Sequence, residues 1–162
     1  MPRLPHPAPE DLRRERQPLR GRTALVTGAG RRSGIGHTVA RRLAAYGASV
    51  HLHHHVPHDS AVPWGADRTE DVVASVRAAL GDPAARIVAG PGDLTAPAAP
   101  AELVAMAVSA LGGRLDIVVA HHALSVSDGT LDTIDAAMLD AHWAVETRSV
   151  PLLVQAHARH RT

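Results

Sequence analysis

Apolar residues recur along this chain in two alternating periods. The run RTALVT, Arg22 to Thr27, is short, apolar and β-branched and ends in glycines, the pattern of a strand buried on both faces. From Gly34 to Tyr46 the spacing lengthens to three and four. Ile35, Val39, Leu43 and Ala44 fall on one face, Arg41 and Arg42 on the other, and Gly47 stops the predicted helix. Ala48 to His54 (ASVHLHH) reads as a second strand, followed by a Pro-containing loop through Trp64. Thr69 is expected to cap a helix whose inward positions are Val72, Val73, Val76, Ala79 and Leu80, with Gly81 as its stop. The third strand is predicted over Ala85 to Ala89 and broken by Gly90, Pro91 and Gly92, after which GDLT makes a turn. Ala98 to Leu111 gives a helix with Leu103, Met106, Ala107 and Leu111 inward, and Leu115 to Ala120 (LDIVVA) a fourth strand. From about Asp135 to His160 runs one long apolar helix, in which Pro151 predicts a kink.

Strand and helix thus alternate four times with short connections. That order predicts an α/β fold, a Rossmann-like doubly wound parallel sheet of about four strands with helices on both faces and right-handed crossovers. Residues 1–18, rich in Pro and charge and without a hydrophobic period, read as a disordered leader, and residues 19–162 as the folded part.

Composition narrows the chemistry. The 162 residues suffice for one core. Phe is absent, and Trp64, Trp143 and Tyr46 are the only aromatics, which argues against base-stacking platforms for nucleic acid. Without Cys there is no disulfide, thiolate metal site or cysteine nucleophile. All 17 basic side chains are Arg, so these residues hold no ammonium group for a Schiff base, a phosphate-loop lysine or the tuning of a neighbour. Residues 1–42 carry ten Arg against Glu10, Asp11 and Glu15, but acids interrupt the run, so no nucleic-acid partner is expected. No stretch nears the ~20 apolar residues of a membrane span, and a cytoplasmic location without membrane association is expected.

Between the first strand and first helix lies Thr27-Gly28-Ala29-Gly30-Arg31-Arg32-Ser33-Gly34-Ile35-Gly36. Glycines at such a turn let the backbone approach a pyrophosphate, and the amides and dipole of the next helix favour the anion. Position within a first βαβ unit makes dinucleotide binding the expected role and residues 19–162 a partial dinucleotide-binding domain. A site for NAD generally presents an acid at the end of the second strand, where this chain has His53, His54 and His55. Arg31 and Arg32 would suit a ribose 2′-phosphate instead, so NADP is expected over NAD.

Through LRGRTALVTGAG followed by GIG, then GDLT, then LDIVVAHHA, the chain resembles the short-chain dehydrogenase/reductase family from Leu19 onward. Its glycine loop has five residues, Ala29 to Ser33, where the family has three. The resemblance implies that Gly28, Gly30, Arg31, Arg32, Ser33, Gly34, Ile35 and Gly36 cradle the phosphates, that Asp93 and Leu94 lie beside the adenine, and that Ala120 and His121 stand near the ribose and nicotinamide. It implies hydride transfer between NAD(P) and a carbonyl or alcohol, of the 3-oxoacyl reductase kind. It also implies a homodimer through the long C-terminal helix. The family's Ser, Tyr and Lys follow a fifth strand. Tyr46 is followed four residues on by Val50, so this N-terminal portion is expected to bind cofactor without turnover and to have no catalytic residue of its own. Alternatives are a non-catalytic NADP-binding or partner-recruiting module, or a truncated product without function. Glu146 stands at the family's relay Asn position, where it would be raised in pKa or turned toward Arg148, or be simply a salt-linked surface Glu. An open edge at LDIVVA, with Trp143, Leu152 and Leu153 poorly covered, is expected to favour instability or pairing.

Twelve His residues invite a metal reading. His51, His53 and His55 alternate along the second strand, yet no acid or thiol frame surrounds them apart from Asp59, so no specific metal is expected. His157 and His160 read as a solvated helix end.

Overall fold

The computed structural model describes residues 16–125 and 129–160. Most of the expected leader, residues 1–15, lies outside these. Gln17, assigned to that leader, is tied to the fold, because its side-chain amide donates to the Gly81 carbonyl.

The first unit is β1 (Thr23–Val26), α1 (Ile35–Ala45) and β2 (Ser49–His54). After it come α2 (Val56–Ala61), α3 (Thr69–Arg77), β3 (Ile87–Pro91), α4 (Ala99–Leu111) and β4 (Ile117–Val119). The four strands form one parallel sheet in the order β3-β2-β1-β4. One face, covered by α1 and α3, buries Val26, Val50, Leu52, Ala40, Ala44, Val72 and Val76; the other, under α4 and the C-terminal helix, buries Leu25, Leu103, Val104, Leu111 and Leu153. No described helix is long and apolar enough to cross a membrane.

Several boundaries differ from expectation for local reasons. In α1 the buried positions are Gly36, His37, Ala40 and Ala44, whereas Ile35, expected inward, is 66% exposed. The close seat of Gly36 against the Gly28 carbonyl puts the 36, 40, 44 ridge on the sheet and turns residue 35 outward. α2 falls in the expected Pro loop, and Pro57 in its first turn is a helix starter because an N–H there has no partner to lose. Thr69 is the first helical residue of α3, not its cap, and no side chain caps that helix.

β3 extends through Gly90 and Pro91, which pair with His53 and His54. Pro91 is tolerated because β3 is an edge strand, and Gly90 is demanded by packing, since a Cβ there would stand 2.5 Å from Met106 Sδ and 3.0 Å from the His51 ring. Met106, expected inward, is accordingly half-exposed, and Val104 takes the buried place.

The long C-terminal helix is divided. Asp135 caps α5 (Ala136–His142) through Oδ1 accepting the Met138 N–H at 2.8 Å. A π-helical segment follows (Trp143–Arg148), then α6 (Ser149–Arg159). Distortion thus precedes Pro151: the widened turn absorbs what a proline N cannot donate. Leu153, expected to be poorly covered, is fully buried among Leu103, Ala107 and Ala156, while Trp143 stays 60% exposed and β4 forms the half-buried edge. His157 is half-buried, its Nε2 2.9 Å from the Leu115 carbonyl, rather than solvated.

Candidate functional site

Sheet order fixes where a ligand has room. β2 and β3 lie to one side of β1 and β4 to the other, so the connections leaving β1 and β4 diverge beyond their carboxyl ends. A cleft of about 520 Å³ opens there. Nine of the twelve residues expected at the site line it: Gly28, Gly30, Arg31, Ser33, Gly34, Ile35, Asp93, Leu94 and His121. The other three do not. Ala120, exposed, directly follows β4 and precedes His121 of the lining.

Gly36 lies beneath the loop, where a Cβ would come within 2.5 Å of the Gly28 carbonyl oxygen. Arg32 is turned away: its N–H donates to Asp67 Oδ2 at 2.7 Å and its guanidinium lies 3.5 Å from Oδ1. Those contacts, the amide's foremost, hold the Asp67 carboxyl below its usual range.

The turn after β1 is built for close approach. Gly28 has φ +66°, and a Cβ on it would collide with the His121 carbonyl. The Gly34 N–H closes onto the Arg31 carbonyl at 3.0 Å, and Thr38 N–H onto the Gly34 carbonyl at 3.2 Å. Gly34, the N-cap of α1, offers no side chain, so the first-turn amides stay open to an anion. Arg31 stands over the Trp64 ring, 5.0 Å from its centroid.

Two histidines brace this turn. His53 is 2% exposed, with Nε2 3.0 Å from the Gly92 carbonyl and Nδ1 accepting the Gly28 N–H at 3.3 Å. A carbonyl only accepts, so Nε2 carries the proton and the ring is neutral. Burial pushes its pKa down to about 4. His122 joins β1 to the π-helical segment: Nδ1 is 2.7 Å from Thr27 Oγ1, and Nε2 is 2.9 Å from the Val145 carbonyl and 2.6 Å from Ser149 Oγ. The same Thr27 oxygen accepts the His121 N–H at 2.9 Å. Burial pushes His122 below its ordinary range, consistent with a neutral ring that donates through Nε2.

Asp93 caps its own turn, Oδ1 accepting Thr95 N–H at 2.9 Å and Thr95 Oγ1–H at 2.7 Å, which holds its carboxyl low. Glu146 does not turn toward Arg148. Its Oε1 accepts the Leu124 N–H at 3.2 Å and faces His142 Nδ1 at 3.1 Å, while Arg148 donates to the Thr95 carbonyl.

Asp59, on α2, also lines the cleft, against Gly30 and His54. Sequence spacing hides it, because only the unforeseen helix α2 folds it back. Among the described residues no three His, Asp or Glu side chains are arranged to hold a metal ion. His51 instead faces Gly90 and Met106.

A parallel sheet whose first strand ends in a positive-φ glycine above an uncapped helix, with a cleft at the reversal of strand order, defines the dinucleotide-fold class of α/β proteins. The chain belongs to the short-chain dehydrogenase/reductase family: the family model described as enoyl-(acyl carrier protein) reductase matches residues 28–162. A hydroxyacyl-CoA dehydrogenase of Mycobacterium tuberculosis is 38% identical over 132 residues, covering 77% of this chain and 38% of the relative. An uncharacterized NAD-dependent oxidoreductase of the same species is 33% identical over 146 residues, 85% of this chain and 52% of the relative. The crystal structure of a short-chain dehydrogenase from Burkholderia cenocepacia in complex with NADP superposes with a TM-score of 0.73 at 36% identity, over 88% of this chain and 52% of that one. The chain thus spans about half the length of the curated relatives it matches.

Proposed function

We propose that residues 19–162 form the nicotinamide-dinucleotide-binding portion of an NAD(P)-dependent oxidoreductase of carbonyls or alcohols, of the 3-oxoacyl reductase kind, with NADP the preferred cofactor. The observation that carries this is the cradle itself. Gly28 has no room for a Cβ beneath the His121 carbonyl, and Gly36 has none above the Gly28 carbonyl, so backbone alone faces the space in front of α1. Phosphates would rest on the turn Gly28 to Gly34 and the first amides of α1. The adenosine end would lie between Arg31 and the turn bearing Asp93 and Leu94, and the nicotinamide end beside Ala120 and His121. When bound, the nicotinamide ring supplies or accepts the hydride. Arg31 supports the preference for a 2′-phosphate; Arg32, engaged by Asp67, does not contribute.

Turnover is not proposed for these 162 residues. They contain no Lys, and Tyr46, their one Tyr, follows α1 with its ring beneath the Arg42 guanidinium at 5.5 Å. The half-buried edge β4 and the exposed Leu139, Trp143 and Val154 support the second reading, a module that pairs with another chain or a second copy through its C-terminal helices. A cytoplasmic location is in keeping with the absence of Cys.

Fluorescence titration with NADPH and NADH tests the cofactor reading, because Trp64 lines the cleft and reports occupancy. NADPH is expected to bind more tightly, and Arg31→Ala to weaken NADPH by about tenfold and NADH by less. Equal affinities for both nucleotides in both proteins remove the NADP assignment, and no binding removes the cradle. Carbonyl-reductase turnover that follows the purified chain through every column overturns the inactivity.

A further inference from the structure

Away from the cleft, the edge strand β3 is pinned between two side chains that the cofactor reading leaves unused. His51 of β2 and Met106 of α4 meet over the backbone of Gly90. Met106 Sδ lies 2.5 Å, and His51 Cε1 and Nε2 lie 3.0 Å, from the point that a Gly90 Cβ would occupy. Sulfur and imidazole thus converge on one space that only glycine leaves open. The two differ in access. Met106 is 41% exposed, so a small oxidant in solvent reaches it, whereas His51 is 1% exposed.

His51 is left with a polar group to satisfy. Burial pushes its pKa down to about 4 and keeps the ring neutral, and a neutral imidazole carries one N–H. On Nδ1 that proton has no acceptor among the described residues. On Nε2 it faces a thioether, itself only a weak acceptor. An unpaired buried donor is costly, so a stronger acceptor placed at the sulfur relieves it. Oxidation creates such an acceptor where the sulfur already stands.

We propose that Met106 is a reversible oxidation site whose sulfoxide oxygen is received by the His51 imidazole. Hydrogen peroxide transfers one oxygen to Sδ: the O–O bond breaks, the S–O bond forms, sulfur loses two electrons and the peroxide leaves as water. The new oxygen turns toward Gly90 and accepts the His51 Nε2–H. A thiol-dependent sulfoxide reductase restores the thioether, the oxygen leaving as water while two thiols become a disulfide. A sulfoxide ordinarily disrupts the packing around a methionine. Here its bond to His51 offsets that loss and keeps α4 seated on the sheet.

The test compares the full chain with His51→Leu and Met106→Leu, each before and after hydrogen peroxide, with peptide mass spectrometry following oxygen uptake at Met106 and Met138. Met106→Leu reports what oxidation elsewhere does by itself. In wild type Met106 is expected to gain one oxygen while the melting temperature moves no more than it does in Met106→Leu. Oxidised His51→Leu should melt about 2–4 °C or more below its unoxidised form. Wild type alone supplies a second readout if His51→Leu does not fold. On oxidation the His51 ring nitrogens should shift in long-range proton–nitrogen NMR spectra, with the proton fixed on Nε2, and return after enzymatic reduction. Met106 left unoxidised while Met138 reacts, equal melting shifts in wild type and His51→Leu, or His51 nitrogens that do not move would each overturn the proposal.

Discussion

The hydroxyl of Thr27 and the ring of His122 meet at 2.7 Å, and through that contact the end of β1 is bolted to the π-helical segment of the C-terminal helix. Thr27 is fully buried and also receives the His121 N–H, so one side chain sets the loop after β4 that lines the cleft. His122→Ala leaves the Thr27 hydroxyl without this acceptor and takes a donor from the Val145 carbonyl. Loss of about 1–3 kcal/mol is expected in urea denaturation. A Thr27→Val/His122→Ala double variant should lose less than the sum of the singles, because the orphaned groups are removed together. Strict additivity would show that the two side chains do not act as a pair.

Glycines 34 and 36 look equivalent in the motif, yet the structure ranks them. A Cβ on Gly36 would stand 2.5 Å from the Gly28 carbonyl oxygen and 3.0 Å from its carbon, both backbone atoms that cannot swing aside. At Gly34 the nearest atom is the Arg31 carbonyl oxygen at 3.1 Å, and the backbone there is extended. Gly36→Ala is therefore expected to lower stability by about 2 kcal/mol or more and to abolish nucleotide binding. Gly34→Ala should cost under about 1 kcal/mol. Reversal of that order, measured by thermal melts and NADPH titration, would sink the packing explanation.

Glu146 stands at the π-helical segment with one oxygen serving two partners, the Leu124 N–H and His142 Nδ1. Glu146→Gln keeps a carbonyl oxygen for the amide and for its i,i+4 neighbour His142, so stability should stay within about 0.5 kcal/mol of wild type. Glu146→Ala also removes the acceptor from Leu124 and should cost more, with faster hydrogen exchange at the Leu124 amide. Equal exchange rates in the two variants would mean that the amide bond to Glu146 contributes nothing.

Legibility of this fold in the sequence follows how local each cause is. RTALVT and the glycines after it need only their own neighbours to be recognised, and β1, Gly28 and Gly34 lie where the pattern predicts. Pro91 and Gly90 act locally as breakers, and only the edge position of β3 and the Met106 side chain make them strand residues. Ile35 has the right spacing for a core residue, but the Gly36–Gly28 contact sets the helix phase against it. Arg31 and Arg32 are indistinguishable as letters; Asp67, 35 positions later, separates them. Asp59 is hidden for the same reason, since its approach to Gly30 depends on a six-residue helix with a proline in its first turn.

Acid should unfold this chain earlier than its surface charges imply, and two buried imidazoles are the cause. His51 is 1% exposed with Nδ1 lacking any partner among the described residues, and His53 is 2% exposed and held as a neutral donor to Gly92. Burial lowers each from 6.5 to about 4. An unfolded chain protonates both rings below about pH 6.5, whereas the folded chain resists until about pH 4. Above pH 6.5 the two states bind the same number of protons at these sites and nothing is lost. As pH falls from 6.5 to 4 the unfolded state gains protons that the native state does not, and stability drops by up to about 3 kcal/mol per ring. His51→Leu removes one titrating ring and its unpaired Nδ1 while keeping apolar bulk beside Gly90 and Met106. Urea midpoints measured between about pH 8 and about pH 4.5 should therefore decline less steeply in His51→Leu than in wild type, by up to one proton's worth of slope. His53→Leu is a poorer probe, because it also strips the Gly28 N–H and the Gly92 carbonyl of their partner and lowers stability at every pH. Superimposable slopes for wild type and His51→Leu would place the acid sensitivity elsewhere in the chain.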